Sequence, residues 1–104
     1  MKSGVMDVNF TDEKKQTLTE ELYKAIVEIR DIDECEKFLI DLCTEKEIES
    51  LAQRLYVAKL LREDVTYSEI EKETKASTVT ISRVSKALKS GREGYKTILD
   101  RIGE

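Results

Sequence analysis

The sequence predicts an all-α protein built from six helices with short connections. Three observations support this fold class. The 104 residues include no proline and only four glycines, so few positions interrupt a helix. Charged residues make up 38% of the chain and are interspersed with leucine, isoleucine and alanine, as in amphipathic helices. Apolar residues also recur at spacings of three and four, which is the period of one helix face.

The length predicts one domain with a modest core. We expect residues 1–10 to form a flexible N-terminal arm and residues 11–104 to form a single helical domain. No apolar run reaches the roughly 18 residues of a membrane span. The N-terminal segment lacks the apolar core of a signal peptide. A cytoplasmic location, without membrane association, is therefore expected.

The composition argues against an enzyme or a metal protein. The chain contains no histidine, which is the commonest general base, and no arrangement of nucleophile, base and orienting group stands out. Cys35 and Cys43 lie on apolar faces and are expected to be reduced core residues. Their spacing without histidine does not suit a zinc site. We expect no catalytic residue, no metal and no cofactor.

The first helix is predicted to begin after Asn9 or Thr11 and to run to about Arg30. Its first turn is acidic, as the helix dipole favours. Its apolar stripe has nearly heptad spacing and comprises Leu18, Leu22, Ala25, Ile26 and Ile29, widened by Tyr23 and Val27. Such a stripe packs either on the chain's own core or on a partner's helix. In so short a protein we favour the partner.

Two further helices precede the segment with the strongest functional signal. Asp33 and Glu36 are predicted to start the second helix, which continues through Leu42. Thr44 and Glu47 form a capping-box pattern at the start of the third helix. That helix is predicted over residues 45–62. Its expected core face comprises Ile48, Leu51, Leu55, Ala58 and Leu60 or Leu61, with Tyr56 and Val57 as a second apolar flank.

Residues 66–89 are typical of a helix-turn-helix. Thr66 and Glu69 suit a capping box, and the helical pattern then breaks near residues 75–76. Ser77 can cap a second helix that runs to about residue 88. The side chains expected to face inward are Tyr67, Ile70, Ile81, Val84 and Leu88. Gly91 suits the end of that helix, and a last helix is predicted over residues 92–102.

Charge is distributed unevenly along the chain. The net charge is −4, yet residues 75–92 contain five basic residues and no acidic one, so the remainder carries −9. A basic helix whose first turn bears small hydroxyls suits a DNA major groove. The candidates for base contact are Thr78, Val79 and Ser82. The candidates for phosphate contact are Lys75, Arg83, Lys86 and Lys89, joined by Ser68 and Lys72 on the preceding helix. A solvated basic surface is the alternative.

Two segments carry a resemblance to a known family. LCTEKEIESLAQRLYVAKLLRED and TYSEIEKETKASTVTISRVSKALKSG resemble the Trp repressor superfamily, and more closely its TrpR-related proteins of the YerC/YecD type. The resemblance covers about residues 18–102. It implies a Trp-repressor-like fold with an intertwined homodimer and binding to double-stranded DNA. A two-fold dimer would bind a roughly palindromic operator.

The resemblance also implies a possible effector pocket. Thr44, Arg54 and Arg83 resemble residues that hold tryptophan in tryptophan-responsive members. Val84 stands where the repressor has glycine, and Ala87 stands where it has serine. The glycines that flank the family's turn are Lys75 and Ser77 here. We therefore expect the pocket to be filled by side chains and tryptophan not to be the effector.

The main hypothesis is a sequence-specific, dimeric DNA-binding regulator of transcription, expected to act as a repressor. The alternative is a helical, dimeric protein-interaction module that does not bind DNA. The acidic remainder of the chain favours this alternative, as do Glu69, Glu71 and Glu73 on the first motif helix.

Overall fold

The structure is a computed structural model and describes residues 10–103. This part of the chain forms six helices and no strand, which confirms the all-α class and the predicted number of helices. The helices are α1 (Asp12–Ile26), α2 (Ile32–Leu42), α3 (Glu45–Arg62), α4 (Tyr67–Thr74), α5 (Thr78–Ser90) and α6 (Gly94–Ile102). None of them is both long and apolar enough to cross a membrane. The predicted arm, except Phe10, lies outside the described residues.

The described residues divide into two compact units, with the boundary between Asp41 and Leu42. In the first unit, α1 begins as predicted, because the Thr11 hydroxyl accepts a hydrogen bond of 3.1 Å from the backbone N–H of Lys14. The other predicted cap, Asn9, lies outside the described residues. The helix ends at Ile26, so its predicted extension to Arg30 was wrong. The backbone N–H groups of Glu28 and Ile29 then donate to carbonyl groups three residues earlier, which forms a tight turn after the helix.

The start of α2 also differs from the prediction. Asp31, not Asp33, caps the helix by accepting a hydrogen bond of 2.8 Å from the N–H of Glu34. The Glu34 carboxylate accepts in return from the N–H of Arg30 at 3.1 Å. The capping pair is thus two residues earlier than expected. Asp33 instead forms an exposed ion pair of 2.9 Å with Lys37, four residues along the helix.

Neither α1 nor α2 contains a buried residue. Several large apolar side chains are strongly exposed, including Val27 at 77% and Ile32 at 87%. The apolar stripes of α1 and α2 are therefore largely exposed in the single chain. A long, exposed apolar stripe is typical of a surface that another helix covers.

The second unit has its core around α3. This helix contacts α4, α5 and α6, and α5 also contacts α4 and α6. The buried apolar residues are Val57, Ala58, Ile70, Ala76, Ile81, Val84 and Leu99. On α3 the fully buried pair is Val57 and Ala58, whereas Leu51 is 45% exposed. The prediction of a core position was therefore wrong for Leu51, and Val57, which was assigned to the flank, is central.

Two predicted helix ends in this unit are confirmed, the start of α3 and the end of α5. The predicted capping box of α3 is confirmed: the N–H of Glu47 donates to the Thr44 hydroxyl at 3.1 Å, and the N–H of Thr44 donates to the Glu47 carboxylate at 2.8 Å. Gly91 caps the C-terminal end of α5, as predicted. A Cβ at this glycine would lie 2.4 Å from the carbonyl oxygen of Ala87, so only glycine fits without movement.

The last helix begins at Gly94, two residues later than predicted, after Glu93 in a left-handed conformation. Asp100 on α6 accepts hydrogen bonds from Arg62 of α3 and, at 3.1 Å, from Lys96. The hydrogen bond from the Arg62 guanidinium, followed by that from Lys96, lowers the pKa of the Asp100 carboxyl below its ordinary value. These polar contacts add to the burial of Leu99 in holding α6 on the core.

Candidate nucleic-acid interface

The first motif helix, α4, is anchored at its start and in its middle. The Thr66 hydroxyl accepts a hydrogen bond of 3.3 Å from the N–H of Glu69. The predicted capping box is therefore formed in this direction only. Ile70 is fully buried, as predicted. Tyr67 is 40% exposed, so its predicted inward orientation was wrong. Ile70 is the one buried residue of this eight-residue helix.

The turn between α4 and α5 depends on one residue in a left-handed conformation. Lys75 has φ 61° and ψ 13°, and its N–H donates to the carbonyl of Glu71 at 3.0 Å. Such a backbone favours glycine, because a Cβ raises its energy by about 1–2 kcal/mol. The Thr74 hydroxyl accepts from the N–H of Ala76 at 3.1 Å, and Ala76 is buried in the core. The Thr74 hydroxyl and the buried Ala76 side chain therefore stabilise the turn.

Two hydrogen bonds from α3 brace the same turn. The Gln53 side-chain amide donates to the carbonyl of Thr74 at 2.9 Å. The Tyr56 hydroxyl donates to the Glu73 carboxylate at 2.6 Å. The hydrogen bond to Glu73, together with that residue's negative charge, raises the pKa of Tyr56 above its ordinary value. We refer to these four residues as the α3 brace.

The second motif helix, α5, starts at a double hydrogen bond. The Ser77 hydroxyl accepts from the N–H of Thr80 at 3.2 Å and donates to the Thr80 hydroxyl at 3.2 Å. This confirms Ser77 as the cap. Ile81 and Val84 then pack in the core, and Leu88 is partly buried against it. The orientation of α5 is fixed by these side chains, and its opposite face is open to solvent.

Six of the predicted DNA-contact residues lie on α5, Lys75 lies in the turn before it, and Ser68 and Lys72 lie on α4. All nine are exposed and belong to the second unit: Ser68, Lys72, Lys75, Thr78, Val79, Ser82, Arg83, Lys86 and Lys89. Exposure is a condition for contact with DNA rather than a test of it. The surface combines hydroxyls, one valine and several cations, and no acidic residue occurs between residues 75 and 92.

Four of the five predicted pocket residues line one cavity. Its volume is about 160 Å³, and its lining comprises Arg54, Thr80, Arg83, Val84, Ala87 and Tyr95. Thr44 is not among the lining residues. Its hydroxyl caps α3 ten residues before Arg54, a distance of about 15 Å along a helix. Thr80 and Tyr95 are lining residues that the sequence did not suggest.

Side chains occupy much of the space in this region. Val84 is only 3% exposed and belongs to the core cluster, against which Tyr95 packs. The remaining cavity of 160 Å³ is close to the size of one that accommodates benzene. It is smaller than the roughly 300–1,000 Å³ of ordinary ligand pockets. Two guanidinium groups, those of Arg54 and Arg83, line it.

The fold and this site define the class: a helical protein with a helix-turn-helix, whose second helix is exposed on its basic face. The chain belongs to the Trp repressor family, since the model of the family described as "Trp repressor protein" matches residues 17–103. The predicted resemblance is thereby confirmed. The Trp repressor fold is that of a regulator family rather than an enzyme family.

Individual relatives agree with this assignment. The uncharacterized protein YerC of Bacillus subtilis strain 168 is 52% identical over 85 residues, which cover 82% of each chain. A crystal structure described as a candidate Trp repressor from Staphylococcus aureus has a TM-score of 0.80 at 44% identity, covering 90% of this chain and 96% of that one. A TrpR-like protein from Eubacterium eligens has a TM-score of 0.81 at 45% identity, covering 89% and 96%.

Proposed function

We propose that the protein is a sequence-specific regulator of transcription that binds double-stranded DNA as a homodimer in the cytoplasm and represses its targets. One observation carries this proposal. On α5 the apolar residues Ile81 and Val84 are buried. The exposed residues of the same helix include the hydroxyl residues Thr78 and Ser82 and all its basic residues, with no acidic residue between residues 75 and 92. Membership of the Trp repressor family supports the same function.

The proposed contacts fall into two groups. Thr78, Val79 and Ser82 occupy the first two turns of α5 and would approach base edges in the major groove. The basic side chains of Lys75, Arg83, Lys86 and Lys89 would contact phosphates, with Ser68 and Lys72 of α4 adding backbone contacts. Phosphate contacts fix the register of the protein on DNA, and base contacts supply the sequence preference.

The proposed dimer is supported by uncovered apolar surface in both units. In the first unit Val27, Ile32 and Ile40 are exposed, and in the second Ile98 and Ile102 on α6 are about half exposed. A second copy that covers these side chains would gain the free energy of removing them from water. We propose an intertwined arrangement, as in the family. Its two-fold symmetry would require a palindromic operator with half-sites about 34–36 Å apart.

We further propose that tryptophan is not the effector of this protein. The cavity that Arg54 and Arg83 line has a volume of about 160 Å³, below that of ordinary ligand pockets, and the side chains of Val84, Ala87 and Tyr95 take up space there. The two arginines would then act structurally, or in the case of Arg83 through a DNA phosphate. Thr44 serves as a helix cap.

Fluorescence anisotropy of labelled mixed-sequence DNA, measured across a salt series, tests DNA binding. Affinity should fall steeply as salt rises, since each phosphate contact releases condensed counterions. Substitution of Lys86 and Lys89 by glutamate should abolish binding while the circular dichroism spectrum and the dimer are retained. The matched control is Lys14→Glu with Lys46→Glu, which changes the net charge equally outside the proposed interface. Equal loss of affinity in the control would contradict the assigned contacts.

The rival function is a dimeric protein-interaction module without DNA binding. Its specific support is the exposed acidic surface of α4, which carries Glu69 and Glu71, together with the charge of −9 outside residues 75–92. Absence of DNA binding even at low salt would overturn the DNA proposal and leave this module as the better explanation.

A further inference from the structure

One apolar side chain on the proposed interface is not accounted for by the fold. Val79 is 67% exposed, more than any other large apolar side chain among residues 42–103. It lies in the first turn of α5, whose core contacts come instead from Ile81 and Val84. Valine is also a weaker helix former than alanine, leucine or lysine. Folding of the single chain therefore gives little reason for valine at this position.

The surroundings of Val79 indicate what kind of partner would cover it. On a helix surface its neighbours are the residues three and four positions away. Towards the C-terminus these are Ser82 and Arg83, both exposed. Lys75, which is also exposed, lies in the turn before α5. An apolar side chain among hydroxyls and cations does not continue an apolar protein interface. It suits an apolar spot on a polyanion.

The major groove of DNA offers one such spot, the C5-methyl group of thymine. The other features of base edges are donors and acceptors, which arginine, asparagine or glutamine bind in pairs. Residues 76–82 contain none of these side chains and no acidic one. The first turns of α5 therefore offer two kinds of group. Their hydroxyls can form hydrogen bonds with several bases, whereas the methyl groups of Val79 distinguish a base that carries a methyl group from one that does not.

We propose that Val79 is the main specificity-determining residue and that it contacts a pyrimidine C5-methyl group, thymine in ordinary DNA, in each half-site. This inference rests on the proposed function and deepens it by naming the chemical feature that the operator presents. Burial of one methyl group corresponds to about a fourfold change in affinity. A palindromic site with two contacts should change about sixteenfold.

The test begins with wild-type protein and a pool of random duplexes at low salt, from which the tightest site is selected. In that site each symmetrical pair of thymines is then replaced by deoxyuridine, which removes only the methyl group. At one pair the affinity should fall about sixteenfold, and 5-methylcytosine placed at that pair should bind better than cytosine. This part uses the unaltered chain, so it does not depend on the folding of a variant.

The variant Val79→Ala assigns the effect to one side chain, and Thr78→Ser removes a different methyl group from the same turn as a control. The uracil penalty should disappear in Val79→Ala and persist in Thr78→Ser. The inference is overturned if every uracil-substituted site binds within twofold of the original, if the selected site lacks thymine, or if the penalty persists in Val79→Ala. A pool from which no duplex binds would overturn the proposed function itself, a result distinct from these.

Discussion

Lys75 offers a perturbation with opposite effects on stability and on binding. Its backbone is left-handed, with φ 61°, a conformation that favours glycine. Replacing lysine by glycine removes a conformational cost of about 1–2 kcal/mol. Glycine also gives the unfolded chain more conformational freedom, which offsets about 0.4–1 kcal/mol of this stabilisation. The free energy of unfolding of Lys75→Gly should therefore rise by about 0–1.6 kcal/mol, with a central value of about 0.8 kcal/mol, which corresponds to about 3–6 °C in Tm.

The same substitution should weaken DNA binding, because Lys75 is a proposed phosphate contact. Each lost contact reduces the slope of log affinity against log salt by about 0.9, which gives about 1.8 for a dimer. Thermal unfolding followed by circular dichroism measures the first effect, and anisotropy across a salt series measures the second. Both are needed, because the two effects have different physical origins.

The matched control is Asp64→Gly. Asp64 has φ 60°, nearly the same left-handed backbone, but it lies in the connection between α3 and α4 and is not a proposed DNA contact. This variant should gain stability without a change in the salt slope, and the gain should be smaller than for Lys75→Gly because aspartate adopts the left-handed conformation more readily than lysine. A lower Tm for Lys75→Gly would refute the argument from backbone conformation. An unchanged salt slope would refute the assignment of Lys75 to a phosphate.

Two further predictions concern the cavity and the α3 brace. Calorimetry with tryptophan should show no saturable binding at sub-millimolar concentration, because Val84 and Tyr95 restrict the cavity; a saturable signal would show that the cavity argument is wrong. A spectrophotometric titration that compares wild type with Tyr56→Phe should show one phenol ionising above its ordinary pKa of 10.0, since the Glu73 carboxylate favours the protonated donor. A raised pKa means that this contact stabilises the fold below pH 10 and is lost as pH rises through the folded value. Glu73→Gln should lower that pKa, and an unchanged value would contradict the assigned cause.

Local chemistry in the sequence predicted much of the helical framework. Thr11, Thr44 and Ser77 were each identified as caps from their position before an apolar pattern, and each accepts the expected backbone hydrogen bond. Gly91 was identified as a helix end in the same way. These interactions join residues three or four apart, so the short-range sequence contains both partners. The family resemblance and the exposed basic character of α5 also follow from contiguous residues.

The errors in the same framework arose where neighbouring signals competed. Asp31 and Asp33 both precede an apolar run, and each has a glutamate three residues later. Spacing alone therefore did not distinguish the true cap, which is Asp31. Periodicity places Tyr67 on the inward face of α4, yet Tyr67 is 40% exposed and Ile70 is the buried residue of this helix.

Only the tertiary structure decided which half of α3 is buried and what its side chains hold. Periodicity favoured Leu51 for the core, but the helices that pack on α3 cover Val57 and Ala58. Gln53 and Thr74 are 21 residues apart in the chain, and the cavity joins Arg54 with Thr80 and Tyr95. Sequence alone therefore determined the number of helices, the caps of α1, α3 and α5, and the basic character of α5, because these depend on near neighbours. The core face, the braced turn and the cavity depend on contacts that exist only after distant helices have packed.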